Sequence, residues 1–155
     1  MPKKYNIQVQ CVSKLAHVPD EKSFIKWAKL ALQSCAQIDS VNVTIRIVNQ
    51  TEGRNLNNAF RQKDYATNVL TFVYHDANST NLEGDIVLCA QVVNSEAKAQ
   101  NKSPQNHYAH LTIHGALHLA GLDHVKIKDA KVMEAAEVAL LKKLKISDPY
   151  ERLID

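Results

Sequence analysis

Five of the seven histidines in this chain fall inside one stretch of 18 residues: His107, His110, His114, His118 and His124. The last three sit in the apolar run HGALHLAGLDH. Imidazoles set among apolar side chains need polar partners, so any fold available to this chain must bring a partner to these rings. Residues four apart on a helix project from one face with Cβ atoms about 5 to 6 Å apart, which lets nitrogens of His114 and His118 meet one ion. At 100° per residue, His107, His110, His114, His118 and Gly121 share an arc of about 80°. Gly121 suits the helix end, because glycine accepts the left-handed backbone that closes many helices. The chain then doubles back, and His124 supplies a third nitrogen. Three protein ligands with one open position make the pattern of a catalytic zinc site, not of a closed structural one. Nickel and copper fit the same nitrogens. An ion held there lowers the pKa of bound water to roughly 7. His107 and His110, one to two turns up the same face, are left without an assigned role.

The rest of the chain reads as one α+β domain over residues 1–155, a small mixed four-stranded sheet packed with helices, one of them a zincin-like metal-binding helix. Its 155 residues, 45% apolar and 23% charged with 4 Gly and 4 Pro, exclude collagen-like, coiled-coil and disordered classes. Alternation at Ile7, Val9 and Cys11 and at Val41, Val43, Ile45 and Ile47 predicts half-buried strands of antiparallel or edge type. Phe24, Trp27, Ala28, Ala31 and Cys35 predict a packing helix with Trp27 in the core. A short helix is expected from Thr51 to Arg61. The run NVLTFVY at 68–74 predicts a buried central strand, 75–83 a loop, and 86–89 a short strand opened by Gly84 and Asp85. Further helices are expected over 92–100 and 128–145, the second with Met133, Ala136, Leu140, Leu141 and Leu144 on its apolar side.

Cys11, Cys35 and Cys89 are an odd number at wide spacing, which favours a reducing, cytosolic setting over a disulfide framework. No apolar run suggests export or a membrane span. A formal charge of +3 permits an anionic partner without demanding one. The five tyrosines are scattered along the chain, so the sequence shows no aromatic platform for stacked bases.

The frame H-x-x-x-H-x-x-G-x-x-H coincides with that of metzincin proteases, in which a glutamate follows the first histidine and serves as general base. Here that position is Gly115, and no Met-turn follows, because Met133 falls in a helical run. Loss of such a base removes about 10²- to 10⁴-fold of catalysis. A protease is therefore the weaker alternative, with Asp123 or a distant carboxylate the only replacements. Attack on phosphorus needs a carboxylate less but needs positive charge on the phosphate oxygens. Arg61 is the candidate, its fork of donors matching a phosphate; the competing reading is a surface ion-pair residue.

At these motifs the chain resembles the YbeY family of bacterial metallo-endoribonucleases. The resemblance rests on HGALHLAGLDH at 114–124, on LNNAFRQKDYATNVLTF at 56–72, and on the strand opening Gly84-Asp85-Ile86. It implies zinc at His114, His118 and His124, a catalytic role for Arg61 beside the metal-bearing His114, and cleavage of single-stranded RNA but not DNA. It implies action in the cytoplasm on ribosomal RNA of the small ribosomal subunit, in 16S rRNA 3′-end maturation and ribosome quality control. Many members carry aspartate where Asn68 stands and serine where Thr71 stands, so the roles of Asn68, Asp85 and Asp123 stay open. Two alternatives remain beside the nuclease: the protease-like hydrolase, and a non-catalytic zinc-containing ribosome-assembly factor.

Overall fold

The structure, a computed structural model, describes residues 4–15, 17–35, 38–76, 78–121 and 127–150, the side chains of 127–129 excepted. Its strands are β1 (Lys4–Cys11), β2 (Ser40–Val48), β3 (Val69–Val73) and β4 (Asn81–Cys89). They form one mixed sheet in the order β1-β2-β4-β3. β1, β2 and β4 run parallel, and β3 pairs antiparallel with β4.

Three strands differ from expectation. β2 alternates buried and polar residues yet lies inside the sheet between two parallel neighbours. Alternation reports that one face of a strand is covered; it says nothing of whether its edges are paired. β3, expected to be central, is an edge strand. Its sequence is nearly all apolar because both of its faces are partly covered, Leu70 and Phe72 from one side and Val69 and Thr71 from the other. β4 begins at Asn81, earlier than the expected strand at 86, because Leu82 and Gly84 already point into the core while Asn81 and Glu83 face solvent.

Helix α1 (Glu21–Gln33) is capped by Asp20, whose carboxylate accepts from the Ser23 amide at 3.0 Å. It buries Phe24, Trp27, Ala28, Ala31 and Leu32, so Trp27 is a core residue. Helix α2 (Gln50–Arg61) ends where Gln62 turns left-handed at φ 58°. Helix α3 (Ala90–Ala99) follows β4 directly. Helix α4 (Pro104–Leu119) starts on the Ser103 cap with Pro104 in its first turn, and α5 (Ile127–Lys143) carries Met133, Leu140 and Leu141 inward. Among the described residues no helix is long and apolar enough to cross a membrane.

α4 is the axis of the molecule. Eleven of its residues, from His107 to Leu119, are buried, and the Phe24 ring meets that of Tyr108 edge-on at 5.6 Å. Two glycines set how closely α4 lies on the sheet. A Cβ at Gly115 would stand 2.9 Å from Ile86 Cγ2, and one at Gly84 would stand 2.6 Å from both Leu119 Cδ2 and the Phe72 carbonyl oxygen. The position that carries the protease glutamate is thus packed against β4, with no room for a carboxylate. The helix gives out at Gly121, whose φ of +103° is the left-handed stop its sequence predicts.

Candidate metal centre and its cleft

The i, i+4 pair emerges where α4 leaves the core. His107 and His110 are buried, whereas His114 and His118 are only half-buried and line one small cleft of about 150 Å³. Its other wall comes from the C-terminus of α2, the turn before β3 and β3 itself: Arg61, Thr67, Asn68, Val69 and Thr71. Two residues of the expected ligand set and the expected arginine therefore share a cavity. His124 and Asp123 lie outside the described residues. Among the described residues no group of three or more His, Cys, Asp or Glu is placed to hold one ion.

Glu137 of α5 is a fully buried carboxylate reaching α4 from across the core. His114 donates from Nδ1 to its Oε1 at 2.7 Å, and the Tyr150 hydroxyl donates to its Oε2 at 2.7 Å. His110 Nε2 lies 3.2 Å from the same Oε1 and 3.1 Å from the Tyr150 oxygen. Burial pushes the Glu137 carboxyl up, but hydrogen bonds from His110, His114 and Tyr150, with the charge of His114, outweigh it and hold the group at about 2. Burial pushes the His110 imidazole down and the Tyr150 hydroxyl up. An ionised carboxylate only accepts hydrogen bonds, so His114 donates through Nδ1, and Nε2 is the ring nitrogen that would meet an ion. This is how metal-binding histidines are commonly oriented. The described part of the donor set thus fits a borderline ion taken by imidazole nitrogens.

A second carboxylate serves the upper histidine. Glu96 Oε1 accepts from His107 Nε2 at 2.8 Å and from Asn68 Nδ2 at 2.9 Å, while Asn68 Oδ1 takes the Val69 amide at 2.7 Å. Burial raises the Glu96 carboxyl, but the His107 and Asn68 hydrogen bonds dominate and leave it lowered. An asparagine at position 68 can donate to Glu96, which an ionised aspartate cannot. His107 is accordingly fixed by the half-buried Glu96 and His110 by the buried Glu137. Asp85 lies on the other face of the sheet, where it accepts from the Tyr74 hydroxyl at 2.7 Å.

Arg61 differs from the arginines near it. Arg46 is paired with Glu52 at 2.7 Å, and Arg54 holds Asp64 through two bonds of 2.8 and 2.9 Å. Among the described residues no carboxylate pairs with Arg61.

Sequence reasoning missed Glu137, Glu96 and Tyr150. One signal for Glu137 was present: it stands four residues after Met133 and four before Leu141, a carboxylate on the apolar stripe of α5.

An α+β scaffold that sets an imidazole pair, one member oriented by a buried carboxylate, opposite an arginine has the construction of a hydrolase centre. The sequence matches the family model described as endoribonuclease YbeY over residues 8–145. Endoribonuclease YbeY of Nitrosomonas europaea is 49% identical over 144 residues, covering 93% of this chain and 84% of that protein. Endoribonuclease YbeY of Thiobacillus denitrificans is 43% identical over 150 residues, 97% and 99% of the two chains. The solution structure of TM1509 from Thermotoga maritima shares the fold, with TM-score 0.58 at 24% identity over 96% of this chain and 99% of that one. The chain belongs to the endoribonuclease YbeY family.

Proposed function

We propose that this endoribonuclease cleaves phosphodiester bonds of single-stranded RNA at a divalent ion, zinc by preference, held by His114, His118 and His124. The observation that carries the reading is the convergence of His114, His118 and Arg61 on one cleft. The bound ion supplies positive charge at a phosphate oxygen and acidified water. Arg61 directs its fork of donors at the phosphate and, paired with no described carboxylate, keeps its charge for the substrate. Glu137 holds His114 through Nδ1 in the orientation a ligand needs. Ribosomal RNA of the small subunit, in its 3′-end maturation and in ribosome quality control, and the cytoplasm are the substrate and setting that family membership suggests. The protease alternative loses its base to the packing of Gly115 on Ile86.

The test compares Arg61→Ala and His114→Ala with wild type on a single-stranded oligoribonucleotide. Arg61→Ala should lower turnover about 10²- to 10³-fold, the cost of one transition-state donor, with an unchanged unfolding midpoint. His114→Ala should lose bound zinc, and metal-stripped wild type should regain activity on zinc addition. Undiminished turnover in chelator overturns the metal assignment. End-group analysis identifies the nucleophile: a cyclic phosphate reports the 2′-hydroxyl, and a free monoester reports water.

A further inference from the structure

The sheet face turned away from α4 is incompletely covered. Across the strands run the rows Gln8, Thr44, Asp85, Phe72 and Gln10, Arg46, Val87, Leu70, and α2 lies over their β4 and β3 end through Leu56. At that corner Phe60 stands 66% exposed with its ring edge-on to Phe72 at 5.1 Å, beside Tyr74 at 63% exposure. These rings, with Arg46 and Asp85, border a cavity of about 410 Å³. Arg46 Nε is buried at its edge with no hydrogen-bond partner among the described residues. Apolar surface concentrated in this way marks a contact site.

Its position says what it contacts. Phe60 precedes Arg61 and Phe72 follows Thr71, so each ring is one residue from a wall of the imidazole cleft. The pleat of β3 sends Thr71 into the cleft and Phe72 to the opposite face, and β3 is the edge of the sheet. A strand leaving the cleft over that edge meets the aromatic corner within the thickness of one β-strand.

We propose that Phe60, buttressed by Phe72 and flanked by Tyr74, is a stacking platform for one nucleobase of single-stranded RNA next to the cleaved linkage. This subsite rests on the endoribonuclease reading. Every base offers a π-face, so the platform holds register with little sequence preference.

The experiment measures binding of metal-free protein to a fluorescent single-stranded oligoribonucleotide, and of a series of the same RNA with one abasic nucleotide moved along it. Phe60→Ala should weaken binding roughly 5- to 150-fold, the effect of losing one stacked base, and Phe60→Trp should restore it. The exposure of Phe60 keeps the variants folded, which thermal melting verifies. One abasic position should weaken wild type to the same extent and leave Phe60→Ala unaffected. Binding by Phe60→Ala within twofold of wild type, or abasic losses equal in both proteins, overturns the platform. So does a dimer of wild type that Phe60→Ala dissociates, which would assign the corner to a second copy. If wild type neither binds nor cleaves RNA, the endoribonuclease reading itself fails, a different result from cleavage that ignores Phe60.

Discussion

Substituting Glu137 probes the centre most directly, because this one carboxylate joins two helices and the segment after α5. Replacing it with alanine strands three partners of a buried carboxylate: His114 Nδ1 at 2.7 Å, Tyr150 Oη at 2.7 Å and His110 Nε2 at 3.2 Å. Removing one side of a buried ionic cluster costs about 3 to 5 kcal/mol, so Glu137→Ala should lose that much in urea unfolding of metal-free protein. Glu137→Gln separates orientation from stability. Its amide oxygen still accepts from His114, and its amide nitrogen faces the Tyr150 hydroxyl, which can turn to accept. The glutamine variant should therefore lose only about 1 to 2 kcal/mol, the order of one hydrogen bond and its charge assistance. It also removes the charge behind the ligand, and outer partners of metal-bound histidines are worth about 10- to 100-fold in affinity. Zinc competition against a chromophoric chelator reads this out. If Glu137→Gln binds zinc within twofold of wild type, the charge behind His114 does not strengthen the ligand and that step of the reasoning collapses.

Other consequences are as open to measurement. Gly115→Ala should destabilise by about 1 to 3 kcal/mol through overpacking on Ile86, against the roughly 1 kcal/mol that alanine contributes in a helix; a more stable variant in urea would refute the close approach. Glu96 is held below the ordinary carboxyl range, so its contribution is complete above the unfolded value of about 4.3 and is lost as the pH falls through its folded pKa. The stability gap between wild type and Glu96→Gln should accordingly narrow below about pH 4.3; a gap that widens in acid contradicts the assignment. Tyr150→Phe, which removes the hydroxyl from Glu137, should lower stability by about 1 kcal/mol and leave binding of RNA to metal-free protein unchanged, as anisotropy would show.

What could be read from the sequence was whatever lies on one element. The His114 and His118 pair is visible because four residues on a helix return to one face, and the stop at Gly121 because backbone handedness is local. Arg61 stood out only as a cation between a helix and a strand; its place opposite the histidines depends on how α2 and β3 meet α4. Glu137 was beyond local reasoning, 23 residues after the histidine it serves, although a carboxylate on an apolar stripe called for a partner. The aromatic corner was missed because Phe60 and Phe72 lie on different elements, and counting tyrosines could not bring them together. β3 was misplaced because an apolar run records cover on two faces, which the cleft side and α2 supply without a second neighbouring strand.

The bond from Tyr150 to Glu137 makes the centre depend on chain that is made after its imidazoles. A ribosome releasing this chain delivers the imidazoles of α4 first, the carboxylate 23 residues later, and the hydroxyl that completes it 13 residues after that. Until α5 emerges and docks, His114 lacks the acceptor that orients its ring.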